Sequence, residues 1–317
     1  MTPYPMKLIP YISETVWGGK RLVAEYGVDP RGKANCAEAW VLSAHPNGPG
    51  LVANGVCAGR TLEDLFAAQP NLFGKKAAGL ARFPILVKLI DAQDDLSIQV
   101  HPRGSESVLL PGEAGKTECW YILDAQPGAK LYLGFQRELL REEFAAAIQS
   151  QTLMDYVRPF EVRAGEFYFI PAGTLHAIGG GVLLAEVQQS SDTTYRVYDY
   201  GRLQNGRPRP LHIEQALAVT DLRPYEPPEQ KIGSAGCRTL CRCEYFEITE
   251  FRHCYSAYET EQGILEESFA SLLFLEGEAV LRSAAGELLC RKGESVLVPA
   301  GMPYDVEGTC RALITRL

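Results

Sequence analysis

Gly165-Glu-Phe-Tyr-Phe-Ile-Pro-Ala-Gly173 decides the fold, because the chain contains it twice. The second copy is Gly293-Glu-Ser-Val-Leu-Val-Pro-Ala-Gly301, with the Gly-Glu opening, the Pro-Ala-Gly close and the alternating apolar positions in register. A short apolar run between two such turns reads as a strand. Each copy also follows a matching unit. Cys119-Trp-Tyr-Ile-Leu123 leads through a Gly-containing turn to Lys130-Leu-Tyr-Leu133, and Leu272-Leu-Phe-Leu275 leads through Gly277 to Ala279-Val-Leu-Arg282. One β unit used twice implies two barrels.

Further strand-like runs surround the first copy: residues 83–91, 96–102, 118–125 and 181–189, each β-branched or aromatic and bounded by Gly, Pro or Asp. Helical periodicity is sparse. It is clearest over 137–157, where Leu140, Phe144, Ala147 and Ile148 share a face, with shorter candidates at 61–69 and 211–220. The expected architecture is mostly β, with two jelly-roll barrels and a few peripheral helices. Residues 1–225 would form a first domain with the helical segments and 231–317 a second. The Pro- and Glu-rich stretch 223–230 would link them.

The hairpin followed by G-E-x-x-x-I/V-P-A-G resembles the double motif of cupins, in which the first motif supplies metal ligands and the P-A-G turn leads to a further histidine. Only five histidines are present. Gln99 and His101 stand two apart in a strand-like run, so both side chains leave one face. Glu118 opens the next strand, and His176 comes three residues after the P-A-G turn. Two imidazoles, a carboxylate and an amide suit one Zn2+ per chain and leave positions for water or substrate oxygens. His45 reads as a surface-loop residue, His212 as a helix start and His253 as a strand residue. In the second copy Tyr304 takes the position of His176, so that barrel is expected to hold no metal.

Composition excludes several classes. With 46% apolar and 22% charged residues the chain is ordinary globular material. A net charge of −8 without clustered Lys and Arg argues against nucleic acid. The N-terminus shows neither a signal peptide nor a spanning segment, so no membrane partner and a cytoplasmic location are expected. Nine scattered cysteines fit a reducing compartment, and Cys237, Cys241, Cys243 and Cys254 lack the spacing of a zinc knuckle. Trp17, before two glycines, reads as a packing residue.

Longer segments are more specific. Val16-Trp-Gly-Gly19, Leu96-Ser-Ile-Gln-Val-His-Pro102, Gly115-Lys-Thr-Glu-Cys-Trp-Tyr121, Pro171-Ala-Gly-Thr-Leu-His176 and the run from Glu186 to Arg202 resemble the type I mannose-6-phosphate isomerases in their short bacterial form. The resemblance runs from about residue 7 to the C-terminus. It implies a zinc-dependent exchange of mannose 6-phosphate and fructose 6-phosphate, with Gln99, His101, Glu118 and His176 as ligands, Arg196 as the functional arginine and Lys116 as the active-site lysine. Cys119 departs from the Met of many relatives, but beside Glu118 on a strand it should point away from the metal.

An aldose–ketose exchange moves a proton between C1 and C2 through an enediol, and needs a base, an oxyanion stabiliser and a phosphate anchor. Lys116 shares a strand face with Glu118. Asp192 and Glu186 are alternative proton carriers. The candidate phosphate anchors are Ser97, which faces the same side as Gln99, Lys88 in the adjoining run, and Arg103 at the rim, with Glu186 a further substrate-binding candidate. Two rivals stay open: a non-catalytic sugar-phosphate-binding cupin, and a cupin oxygenase, against which Gln99 and the Lys116/Arg196 pair argue. A monomer or weak homo-oligomer is expected.

Overall fold

Both copies of the repeat fold alike. Gly165, Gly173, Gly293 and Gly301 all take positive φ, between 75° and 94°, which glycine adopts without a Cβ penalty. In each copy the glutamate closes its own turn: Glu166 Oε2 accepts from the Arg163 amide at 3.0 Å and Glu294 Oε2 from the Arg291 amide at 2.7 Å. The first glycine donates back into the preceding hairpin, Gly165 to Ile122 O and Gly293 to Phe274 O, both at 2.8 Å. The strands Phe167–Ile170 and Ser295–Val298 follow, then the Pro-Ala-Gly turns, and then strands opened by His176 and Tyr304.

The computed structural model describes residues 2–104, 114–204, 206–230, 236–257 and 264–317. Three large antiparallel sheets make the molecule. A six-stranded sheet runs Phe167–Ile170, Glu118–Ala125, Val182–Gln189, Ile85–Ala92, Glu38–Leu42, Tyr11–Ser13. A five-stranded sheet runs Tyr195–Tyr198, Ile98–Val100, His176–Ile178, Lys130–Phe135, Val157–Glu161. The third, C-terminal sheet is built on Glu247–Ala257, Tyr304–Arg316 and Ala270–Ser283. The first expected barrel is realised as the facing six- and five-stranded sheets and the second as one eight-stranded sheet; among the described residues no sheet closes on itself.

The six-stranded sheet is the middle layer. Ile90, Trp120, Ile122 and Leu184 on one face meet Leu131, Leu133 and Ile178 of the five-stranded sheet. Cys119, Tyr121, Leu123, Ala185 and Val187 on the other face meet Ile248, Leu273 and Leu313 of the C-terminal sheet. Covered on both sides, its strands read as continuous apolar runs, and all eight residues of Ile85–Ala92 are buried. Truncating a side chain such as Leu184 to Ala here would cost about 2–5 kcal/mol.

The boundary at 225/231 does not separate the sheets. Met6–Ile9 pairs with Ser295–Val298 on one side and Leu51–Val52 on the other, so two strands of the first segment complete the C-terminal sheet. The expected start at 231 lies outside the described residues. The linker is tied down, with Tyr225 buried and its hydroxyl donating to Phe169 O at 2.8 Å.

The helix expected over 137–157 is shorter, Arg141–Gln149. Glu143 Oε2 accepts from the Leu140 amide at 2.8 Å and fixes its start. Gln151, at φ 61°, ends it, and the remainder becomes a 3-10 turn at Leu153–Asp155 and the strand Val157–Glu161. The two shorter helices form at Leu62–Ala68 and Ile213–Val219. Among the described residues no helix is long and apolar enough to cross a membrane.

Candidate metal centre

Three chain segments meet between the five- and six-stranded sheets. Gln99 sits mid-strand and His101 directly after it, with Pro102 lacking the N–H that would continue the ladder. His176 lies opposite Gln99 in register, which puts both side chains on one face. Glu118 opens its strand in the facing sheet on the same side as Trp120, while Cys119 points to the opposite face, as expected.

The ligand atoms of His101, Glu118 and His176 all lie within 4.8 Å of one another, and all three residues are buried. His101 Nε2 is 3.5 Å from Glu118 Oε2 and His176 Nε2 is 3.4 Å from Glu118 Oε1. Each imidazole donates its Nδ1–H to a backbone carbonyl, His101 to Thr193 O and His176 to Thr174 O, both at 2.8 Å. That fixes the tautomer and turns both Nε2 lone pairs to the centre. Lys116 Nζ stands 2.9 Å from His101 Nε2 and 2.8 Å from Glu118 Oε2. Despite this ion pair, neither Glu118 oxygen accepts a well-aligned hydrogen bond. Gln99 presents Nε2 to His176 at 3.4 Å and Oε1 to the Ser97 hydroxyl at 3.2 Å. A flip of its terminal amide, which preserves shape, turns the oxygen to the centre.

Burial, and then the charge of Lys116, holds His101 well below the usual histidine range. Burial likewise carries His176 down to about 4. Both are therefore neutral donors at pH 7. Burial, and then the charge of Glu186, raises Glu118 to about 7, against the pull of Lys116. For Glu186 burial acts upward, but Lys88, Lys116 and the Trp120 indole outweigh it and hold the carboxyl at about 2.

Gln99 and Lys116 also line a cavity of about 190 Å³. Ser97, Lys88, Glu186 and Arg196, all expected here, line it too. Arg196 Nε donates to Ser97 Oγ at 3.2 Å. Lys88 is not a bare cation: Nζ lies 3.1 Å from Glu186 Oε1, 3.7 Å from Glu38 Oε2 and 5.1 Å from the Trp40 ring centre. Trp120 Nε1 donates to Glu186 Oε2 at 2.9 Å. Trp17, read as packing, is buried and forms part of the wall. A larger cavity of about 290 Å³ beside His45 and Phe66 contains none of these groups, so chemistry and not size picks out the site.

Three residues stand elsewhere than expected. The Asp192 carboxylate accepts from Asn47 Nδ2 at 2.6 Å and lies 3.6 Å from His45 Nε2, away from the cavity lining. His45 is 3% exposed and no surface residue, because Trp40 and the segment at Asp192 cover it. Arg103 lies against Gly173 and lines a different cleft with Asp221. Two charged cavity residues stand outside the sequence expectations: Glu38, carried in by the strand Glu38–Leu42 beside Lys88, and Arg209, whose Nε and Nη2 donate to Asp199 at 2.7 and 2.5 Å. Alternation would have put Glu38 and Trp40 on one face, but nothing local marks Arg209.

Two neutral imidazoles with oriented lone pairs and a buried carboxylate with no aligned donor suit a divalent cation of borderline softness. Comparisons with known proteins agree with the layout. The model of the phosphomannose isomerase type I catalytic domain matches residues 6–124, and that of the mannose-6-phosphate isomerase cupin domain matches residues 238–317. A probable mannose-6-phosphate isomerase of Bacillus subtilis is 36% identical over 98% of this chain and 99% of its own. The crystal structure of mannose 6-phosphate isomerase from the same species superposes with a TM-score of 0.86 at 34% identity, over 99% of both chains. A zinc-bound mannose 6-phosphate isomerase structure, at 19% identity and 98% coverage of both chains, shares the fold with a TM-score of 0.75. Motifs, cupin layers and full-length similarity converge, and the chain belongs to the type I phosphomannose isomerase family.

Proposed function

We propose that this chain interconverts mannose 6-phosphate and fructose 6-phosphate, with one zinc ion per chain held by Gln99, His101, Glu118 and His176. The observation that carries the reading is the convergence of His101, Glu118 and His176 beneath a cavity lined by Lys88, Lys116, Arg196 and Arg209. Such a cavity suits a phosphorylated, polyhydroxylated substrate in a chain whose overall charge is negative. Zinc bound there supplies a Lewis acid for a sugar oxygen.

The remaining tasks fall to side chains. Moving a proton between C1 and C2 through an enediol builds negative charge on oxygen, and Arg196, steadied by Ser97, is the cation for that charge. Lys116 sits between the ligands and the cavity, within reach of both. Glu186 is held ionised by Lys88 and Lys116, so it accepts hydrogen bonds from sugar hydroxyls. Ser97 and Arg209 supply donors for the phosphate. The proton carrier belongs among groups that line the cavity, such as Lys116 and Glu186, and Asp192 is not one of them.

The test is a coupled assay on several hexose phosphates, with metal analysis of the same sample. About one zinc per chain and loss of mannose 6-phosphate turnover on chelation, restored by zinc, are expected. Full activity in metal-free protein refutes the metal assignment, and no turnover by the zinc-loaded protein refutes the activity.

A further inference from the structure

We infer that His212 is a positioning residue that sets the backbone of Arg196 and thereby aims its guanidinium. The strand Tyr195–Tyr198 is the edge of the five-stranded sheet. On its inner side Arg196 lies opposite Gln99, the register shifts directly after it, and its backbone groups bond residue 212 on the outer side. Both the N–H and the C=O of Arg196 therefore face outward, where no strand follows. An open edge of this kind leaves a residue free to twist.

One residue takes both groups. The His212 backbone N–H donates to Arg196 O at 2.8 Å, and the Arg196 N–H donates to His212 Nδ1 at 3.2 Å. The imidazole thus completes at Arg196 what a neighbouring strand would supply. A third bond from the same segment reaches the side chain itself, with Arg196 Nη1 donating to Pro210 O at 3.0 Å. Because Nδ1 is an acceptor, the ring is neutral with its proton on Nε2.

The device is anchored from outside. His212 precedes the helix Ile213–Val219, whose Ala216 and Val219 pack into the core formed by Ile98, Val100, Tyr195 and Val197. The Ala216 amide bonds His212 O at 2.9 Å. The helix therefore sets the position of His212, and His212 sets that of Arg196. No sequence motif marks the relation, since sixteen residues separate the two.

This inference rests on the reading of Arg196 as an active-site cation, and two variants test it on the zinc-loaded protein. His212→Phe keeps the ring and the backbone N–H but removes the acceptor, leaving the Arg196 N–H unpaired. His212→Asn puts a carbonyl oxygen near the place of Nδ1. For the Phe variant kcat falls about tenfold with KM within about twofold, because the loss lies in orientation and not in ground-state binding. The Asn variant recovers most of kcat, and in an Arg196→Ala background the Phe substitution has no further effect. A wild-type kcat in His212→Phe, or an equal fall in the Arg196→Ala background, overturns the inference. A readout independent of turnover is the Nε–H resonance of Arg196, assigned by its loss in Arg196→Ala. It shifts or broadens in the Phe variant and returns in the Asn variant. If it stays put in both, His212 does not position Arg196, whatever the protein catalyses.

Discussion

Glu250→Ala should destabilise the whole chain, although Glu250 lies far from the metal centre in sequence and faces the other side of the middle sheet. Its carboxylate is 1% exposed and joins two layers. Oε1 accepts from the Tyr121 hydroxyl of the middle sheet at 2.7 Å, Oε2 accepts from Arg238 Nε at 2.5 Å, and Arg252 Nη2 stands 3.5 Å from Oε1. Arg311 Nη1 donates to the same Tyr121 oxygen at 3.0 Å. Removing the carboxylate deletes the bonds from Tyr121, Arg238 and Arg252 and leaves Arg238 and Arg252 without this anion, while Arg311 keeps Glu276. Breaking a buried pair of this kind costs about 3–5 kcal/mol. Arg238 and Arg252 keep some contact with water, at 16% and 27% side-chain exposure, so about 3 kcal/mol is expected. Glu250→Gln, which retains an acceptor for Tyr121, should lose about half of that.

Equilibrium urea denaturation measures it. All three tryptophans, Trp17, Trp40 and Trp120, lie in the first half of the chain, so their fluorescence reports that half while far-ultraviolet dichroism reports the whole. Coincident midpoints displaced together mean that the Glu250 knot couples the layers. Combined with Tyr121→Phe, the double variant should show a coupling of about 1–2 kcal/mol. A Glu250→Ala variant within about 0.5 kcal/mol of wild type, or strict additivity with Tyr121→Phe, refutes the reasoning.

Glu118→Gln preserves shape but removes the one anionic ligand, so zinc affinity should fall by more than about 100-fold in equilibrium dialysis, since even neighbours of ligands shift affinity by 10–100-fold. Arg196→Ala should retain zinc and drop to a small residual turnover, measured by metal content and coupled assay on one preparation. Asp199 gives a pH signature. Burial acts to raise its carboxyl, but Arg209 and Arg202 outweigh it and hold it below the usual aspartate range. A carboxyl with a lowered folded value contributes stability that is complete above the unfolded value, about 3.9, and is lost as pH falls through the folded one. The stability gap between wild type and Asp199→Asn should therefore be constant from pH 5 to 7 and shrink below about pH 4; a gap that grows in acid contradicts it.

What could be read in the chain follows from which relations are local. Gln99 and His101 share a face because they are two apart, and the Gly-Glu and Pro-Ala-Gly turns announced themselves through glycines that require positive φ. Cys119 turned away from the centre for the same period-two reason. Relations across sheets left no such trace. Glu38 reaches Lys88 through the pairing of strands almost fifty residues apart, and Arg209 enters the cavity on an irregular segment held by Asp199. His45 looked like a loop residue because its sequence neighbours are turn formers, whereas its burial comes from Trp40 and the segment near Asp192. Asp192, expected as an alternative proton carrier, lies on a strandless segment that turns its carboxylate outward to Asn47. Periodicity carried the 137–157 helix too far because amphipathic spacing cannot register a backbone stop such as Gln151.

The pairing of Met6 with Leu297 joins strands far apart along the polypeptide. A ribosome releases the first strand long before its partner exists, so during synthesis Met6 and Leu8 wait without their neighbour while the middle layer exposes the face that the late-made strands will cover. Maturation of the first half is thereby deferred until the strand Ser295–Val298 has been made, and nascent chains stalled short of residue 295 should depend on holding chaperones.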